Sequence, residues 1–201
     1  MINFVIKLIL NNYTYEIKMN NYLVFDVETN GIGGFRPPEQ IVTQIAFIKF
    51  DIDGNILDQY SSIVKGATEI NNSIPSVKFT LDDINAKGID LKIAIQRFLD
   101  AIDDNTILVA HNAEFDGSII KRDSKKYKLK IPHAQVFCTM KSSTNYCKIR
   151  NKYGYKWPSL NELATCMNIE NNENNFHDAF YDCSITKDCF LKGLKEGIFN
   201  I

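Results

Sequence analysis

Apolar and polar positions along this chain follow two rhythms. Tyr22 to Glu28 is apolar on both faces of a period-two pattern and reads as a buried strand. Two more β-rich runs follow at 41–51 and 56–64, and a Gly-rich loop, Gly31 to Pro38, joins the first strand to the second. The three read as a meander. Thr80-Leu81-Asp82-Asp83 is a capping-box-like helix start, and Leu91 to Ile102 has the period of an amphipathic helix. A strand at 106–110, a helix from 113, a short strand at 135–139 and helices near 159–168 and 178–194 complete the order. A meander followed by strand–helix units predicts an α/β fold with a mixed sheet, not a wholly parallel one.

The first eighteen residues stand apart. Ile2 to Leu10 is apolar but contains Lys7, is too short to span a bilayer and lacks a signal-peptide cleavage pattern. Asn11-Asn12 separates two β-rich runs, as in a hairpin. Residues 1–18 are therefore either an extra hairpin or a stretch upstream of a true start at Met19. Residues 19–201 are expected to form one domain.

The candidate chemistry begins inside the first buried strand. Asp26 and Glu28 are two residues apart, so strand geometry sets both on one face. Neighbouring carboxylates in a sheet core repel each other and lose hydration unless a positive charge lies between them. A divalent metal held by oxygen ligands is the usual solution. Downstream, the strand Thr106 to Ala110 breaks at His111-Asn112, which puts Asp116 in the first turn of the next helix. After an Asn-rich loop, Asn171 to Asn175, His177 falls at the start of the last helix and Asp182 about one turn inside it, pointing back toward the same end. Taken singly, Asp116 is an ordinary helix N-terminal acid, His177 a capping or surface histidine, and Asp182 a solvated helix residue. Their joint occurrence at strand and helix ends is what points to a site.

With these three segments in order, the chain resembles the DEDDh branch of the DnaQ-like 3′–5′ exonucleases. Asp26, Glu28, Thr29 and Gly31 match its first motif. His111, Asn112, Phe115 and Asp116 match its second, and His177, Ala179 and Asp182 its third. The resemblance covers about residues 20 to 194 and implies an RNase H-like fold, a mixed five-stranded sheet flanked by helices. It also implies metal-dependent release of nucleoside monophosphates from single-stranded 3′ ends of DNA or RNA. Two Mg²⁺ or Mn²⁺ ions roughly 3.5–4 Å apart would clamp the attacking and leaving oxygens. Asp26 would touch both ions, with Glu28, Asp116 and Asp182 completing the metal ligands. His177 would be the general base, since an imidazole pKa of about 6.5 leaves it neutral near pH 7. A sister branch places a Tyr four residues before the last Asp; Asp178 holds that position here, and Tyr181 does not. The resemblance further implies that the backbone at Val27 to Thr29 meets the terminal nucleotide and that Asn112 and Phe115 line the groove. His111 is either a substrate contact or a structural hydrogen-bonding group.

Composition qualifies this picture. The chain has 201 residues and a formal charge of −1, so there is no global basic signal for nucleic acid. Bound Mg²⁺ would offset the acid cluster, and a short 3′ end needs few phosphate contacts. Basic residues crowd from Lys121 to Lys130, and Lys141, Lys148, Arg150, Lys152 and Lys156 are interleaved with Tyr146, Tyr153, Tyr155 and Trp157. This stretch is either a substrate strip with stacking partners or a solvated surface loop. Five cysteines without metal or disulfide spacing suggest reduced thiols in an intracellular, cytoplasmic protein with no membrane partner. No fused polymerase domain or long polymerase-binding tail is read from the chain, while a polymerase or repair partner docking on its surface stays open. Two other functions remain. One is a catalytically silent nucleic-acid-binding module of the same fold, against which the full set of four acids and a histidine argues. The other is a metal-dependent phosphodiesterase acting on small nucleotides.

Overall fold

A computed structural model describes residues 20–31, 40–74 and 77–201, and the backbone of two further strands, β1 (Val5–Leu10) and β2 (Tyr13–Lys18). β1 and β2 pair antiparallel, from Val5 opposite Lys18 to Leu10 opposite Tyr13, in a sheet of their own. The expected Asn11-Asn12 turn, Met19 and most of the Gly31 to Pro38 loop lie outside the described residues.

The main sheet has five strands: β3 (Asn21–Thr29), β4 (Val42–Phe50), β5 (Ile56–Ile63), β6 (Thr106–Ala110) and β7 (Gln135–Cys138). Their spatial order is β5-β4-β3-β6-β7. β3, β4 and β5 form the antiparallel meander. β6 then runs parallel to β3, and β7 parallel to β6. The sheet is thus mixed, as the order of apolar runs predicts, and β3 lies at its centre.

Among the described residues six α-helices accompany the sheet: α1 (Leu81–Lys87), α2 (Leu91–Asp100), α3 (Ala113–Lys126), α4 (Thr139–Cys147), α5 (Leu160–Cys166) and α6 (Ala179–Lys195). The Thr80 capping box is formed, with Thr80 Oγ1 accepting from the Asp83 amide and Asp83 accepting from the Thr80 amide. Alternate residues of β3 serve two cores. Leu23, Phe25 and Val27 pack with α2 and α3. Tyr22 and Val24 pack with α5 and α6. Asp26 and Glu28 continue the second set, so they emerge on the α6 side at the end of the central strand.

α6 comes close to the sheet because its buried face there is made of small residues, Ala179 and Cys183. Cys183 Sγ lies 3.6 and 3.8 Å from the carbonyl oxygens of Ala46 and Val24. Along that face Ile185 and Phe190 are buried, whereas Phe180 and Leu194 are half-buried at its margins. No helix among the described residues is long and apolar enough to cross a membrane.

One segment differs from expectation. The stretch read as a strip or a surface loop folds, over Thr139–Cys147, into α4 and then into a small hairpin, β8 (Arg150–Asn151) with β9 (Gly154–Tyr155). Ser, Thr, Asn and Cys are mediocre helix formers. Tertiary burial of Thr139, Met140 and Ser143 makes up for that local preference.

Candidate active site

Every site residue expected from the sequence borders one cleft of about 420 Å³: Asp26, Val27, Glu28, Thr29, His111, Asn112, Phe115, Asp116, His177 and Asp182. Three structural junctions bring them together. β3 ends in a register shift between Glu28 and Thr29, a bulge that redirects side chains at the sheet's end. The chain then leaves through Gly31, whose φ of 68° suits glycine. At the end of β6, Asn112 takes a left-handed conformation (φ 78°) and starts α3 without a side-chain capping bond. Before α6, His177 does the same at φ 68°. A left-handed histidine costs on the order of 1 kcal/mol or more, and its effect here is specific: the His177 amide donates to Asp182 Oδ2 at 3.1 Å.

Asp116 and Asp182 are buried, and Asp26 and Glu28 are half-buried beside them. Asp116, 2% exposed, accepts from the Val27 amide at 3.2 Å, which ties α3 to β3 beside Asp26. Burial, with the charge of Asp182, lifts the Asp116 carboxyl to about 8. Burial and the other acids lift Glu28 to about 8. Asp182 rises to about 7, chiefly through burial and Asp178, against the His177 amide and Lys78. Asp26, pressed by burial and then by Asp116, Glu28 and Asp182, is pushed well above the carboxylate range. Four acids that resist ionising together form a site short of positive charge.

The donor set fits a hard divalent cation. Ligand atoms of Glu28, His177 and Asp182 all lie within 4.8 Å of one another, and Asp182 Oδ1 is buried without a hydrogen-bond partner among the described residues. This compact group joins the expected base to two of the expected ligands. Asp26 and Asp116 stand outside it and act on it through charge and burial.

His177 is the exposed member. Burial of its ring and the nearby Lys78 lower its pKa below the ordinary imidazole value, so it is neutral at pH 7 and open to water. Tyr181 is engaged elsewhere, its hydroxyl accepting from the Asn172 amide at 2.6 Å. Asp178, at the position of the sister branch's Tyr, is the N-cap of α6 and accepts from the amides of Phe180 and Tyr181.

His111 lines the cleft, but neither ring nitrogen is open to substrate. Nε2 lies 3.0 Å from the Pro158 carbonyl and Nδ1 3.0 Å from Thr139 Oγ1. A carbonyl only accepts, so Nε2 carries the proton; Nδ1 of the neutral ring is then an acceptor facing the Thr139 hydroxyl, whose single proton is shared with the Ala110 carbonyl at 3.3 Å. Burial pushes this imidazole down to about 4, keeping it neutral. Of the two roles open to His111 in the sequence, the structural one is what its nitrogens perform: it joins β6, the start of α4 and the approach to α5.

Two further residues carry no sequence signal of function. Gln44, buried on β4 opposite Glu28, accepts from the Ala179 amide at 2.9 Å and donates to Asp178 Oδ2 at 3.1 Å. It thereby fixes the N-terminus of α6, and with it His177 and Asp182, against the sheet. In sequence it reads as one polar residue in a strand. Lys78, from the segment before α1, donates to the Asn174 carbonyl at 2.6 Å and lowers the pKa of Glu28, His177 and Asp182.

Comparison with known proteins agrees with this geometry. Residues 23–190 match the model of an exonuclease family, RNase_T. A DNA polymerase III of PolC type from Staphylococcus saprophyticus is 27% identical over 181 residues, which is 90% of this chain and 12% of that protein. The chain therefore spans about an eighth of that relative's length. Among solved structures, E. coli exonuclease I in complex with a dA16 oligonucleotide superposes with a TM-score of 0.71 at 17% identity, covering 90% of this chain and 42% of that one. A zinc-bound E. coli exonuclease I–single-stranded DNA complex gives 0.70 at 18% identity, with the same coverage. Since the family match takes in all three motif segments and the mixed sheet that carries them, the chain belongs to the RNase_T exonuclease family, 3′–5′ exonucleases of the DnaQ-like group with an RNase H-like fold.

Proposed function

We propose that this protein hydrolyses single-stranded nucleic acid from the 3′ end, releasing nucleoside monophosphates, with DNA as the first substrate to test. The convergence of Asp26, Glu28, Asp116 and Asp182 with one neutral, exposed His177 in a single cleft supports this reading most. The catalytic unit would be residues 19–201, with the paired strands β1 and β2 as an addition to it.

The four carboxylates would hold divalent cations, Mg²⁺ or Mn²⁺, and the uncapped Asp182 Oδ1 is the clearest place for one. Bound cations supply charge neutralisation and Lewis acidity at the phosphate. The other steps belong to this chain's own groups. His177 takes a proton from the attacking water as its oxygen bonds to phosphorus, the bond to the 3′ oxygen of the preceding nucleotide breaks, and that oxygen leaves as a hydroxyl with a proton from solvent. Its amide bond to Asp182 holds the ring's backbone in place during that transfer. The backbone at Val27 to Thr29 receives the terminal nucleotide, while Asn112 and Phe115 flank it. Lys78 helps keep His177 unprotonated at neutral pH. The PolC-type relative suggests a DNA polymerase as partner, in a reducing intracellular compartment.

A gel assay with 5′-labelled single-stranded DNA and RNA of one sequence tests the reading, run with Mg²⁺, Mn²⁺ or EDTA and with Asp26→Ala as control. A metal-dependent ladder shortening from the 3′ end, lost in the variant, is expected. Binding without cleavage of either polymer would overturn the catalytic reading and leave a silent binding module.

A further inference from the structure

An aromatic and cationic surface at the mouth of the cleft has no part in the chemistry above. Tyr153 is 85% exposed, Trp157 59% and Tyr155 44%. These rings sit on and just beyond the β8–β9 hairpin, facing water where burial would normally be favoured. Each has a cation near its face: Lys152 at 4.8 Å from the Tyr153 ring, Arg150 at 5.7 Å from Tyr155 and Lys141 at 5.6 Å from Trp157. Among the described residues Lys148, Arg150 and Lys152 make no ion pair, so their charge is uncompensated. Lys141 and Lys156 are anchored instead, to Glu114 on the first turn of α3 and to Glu162 on α5.

The surface is continuous with the cleft. Pro158, directly after Trp157, lines it, as do Ser159 and Met140, the neighbour of Lys141. His111 holds the Pro158 carbonyl, so the position of Trp157 is tied to the same residue that joins β6 to α4.

We propose that Trp157 and the β8–β9 hairpin form a second nucleic-acid subsite, a stacking platform for the bases of the single strand upstream of the 3′ end. This rests on the exonuclease reading and extends it. Exposed rings stack on any base, and unpaired cations beside them meet phosphates, so the platform binds without regard to sequence. It places local positive charge where a chain of net charge −1 has none to spare globally. It also separates length-dependent binding from the acid cluster that cuts.

Trp157 is the chain's only tryptophan, so its fluorescence reports on the platform directly. In EDTA, where no cleavage occurs, a single-stranded DNA oligomer of about twelve nucleotides should quench that emission. The quenching should weaken with salt and be absent with blunt duplex, whose bases are already stacked. In Mg²⁺, Trp157→Ala should lower the ratio of kcat/KM on the long oligomer to kcat/KM on a trinucleotide by roughly tenfold. Adding Tyr155→Ala should lower it further, and Trp157→Phe should restore most of it. Unquenched emission, or an unchanged ratio in Trp157→Ala, would overturn the platform. Wild-type protein that cleaves neither substrate would instead defeat the exonuclease reading, with quenching still deciding the platform on its own.

Discussion

Replacing Asp116 by Asn should stabilise the metal-free protein while abolishing activity. Asn keeps the shape and can still accept from the Val27 amide, the 3.2 Å bond that ties α3 to β3. What it removes is a carboxyl whose pKa burial and Asp182 raise to about 8, against about 3.9 in an unfolded chain. Between those values the folded state holds a proton that the unfolded state has released. Without metal, stability therefore falls as pH rises through this window, and the full deficit is present above about 8. A difference of that size has a ceiling of roughly 5–6 kcal/mol at 1.36 kcal/mol per pH unit. Asp26, Glu28 and Asp182 titrate with Asp116, however, and share the remaining protons, so a single substitution should recover about 2 kcal/mol. For a chain of this size that is a rise of about 4–8 °C in Tm. Circular-dichroism melts in EDTA at pH 8.5 should show the variant melting higher by that amount, with the gap closing as pH is lowered toward 4. Saturating Mg²⁺ should reverse the order, because the intact cluster binds the ion in the folded state only and gains about 2.7 kcal/mol at a hundredfold excess over Kd. An Asp116→Asn protein that melts at or below wild type in EDTA at pH 8.5 would refute this account of the cluster.

His177→Ala should lose roughly 10²–10⁴-fold in kcat with Mg²⁺ affinity by calorimetry largely kept; a collapse of that affinity would make His177 a ligand, as its place within 4.8 Å of Glu28 and Asp182 allows. In wild type the acid limb of the kcat–pH profile should fall below pH ~6.5, since burial and Lys78 lower the His177 pKa; a limb above that value that disappears in His177→Ala would contradict the assignment. Gln44→Leu leaves the buried Ala179 amide without its 2.9 Å partner and should cost about 1–3 kcal/mol in urea unfolding, together with a drop in kcat larger than the change in KM. Gly193→Ala drives a methyl group into the Phe199 ring and should cost about 1–3 kcal/mol while leaving kcat near wild type; an unaffected unfolding midpoint would show that the C-terminal packing yields freely.

Much of the candidate site was legible because its parts are local. Asp26 and Glu28 share a face by strand period alone. Asp116 and Asp182 both sit about one turn into helices that begin at readable polar breaks. Gln44 and Lys78 were not legible, since their importance lies in partners 134 and 96 residues away, Asp178 and Asn174. For His111 the sequence left two roles open, and only the Pro158 carbonyl and the Thr139 hydroxyl separate them. α4 escaped notice because its helix depends on burying Met140 and Ser143, not on the propensities of a Ser-, Thr- and Asn-rich run.

The sequence by itself therefore determined the candidate groups and the order of the elements that carry them. Residue type sets which groups can bind a cation or take a proton, and period sets which of them share a face. Tertiary structure decided how those groups behave. Burial raises four carboxyl pKa values together, and the left-handed turn at His177 brings its amide to Asp182. Gln44 anchors α6 across the sheet. These effects depend on distance and on loss of water between segments far apart in the chain, which no local pattern encodes.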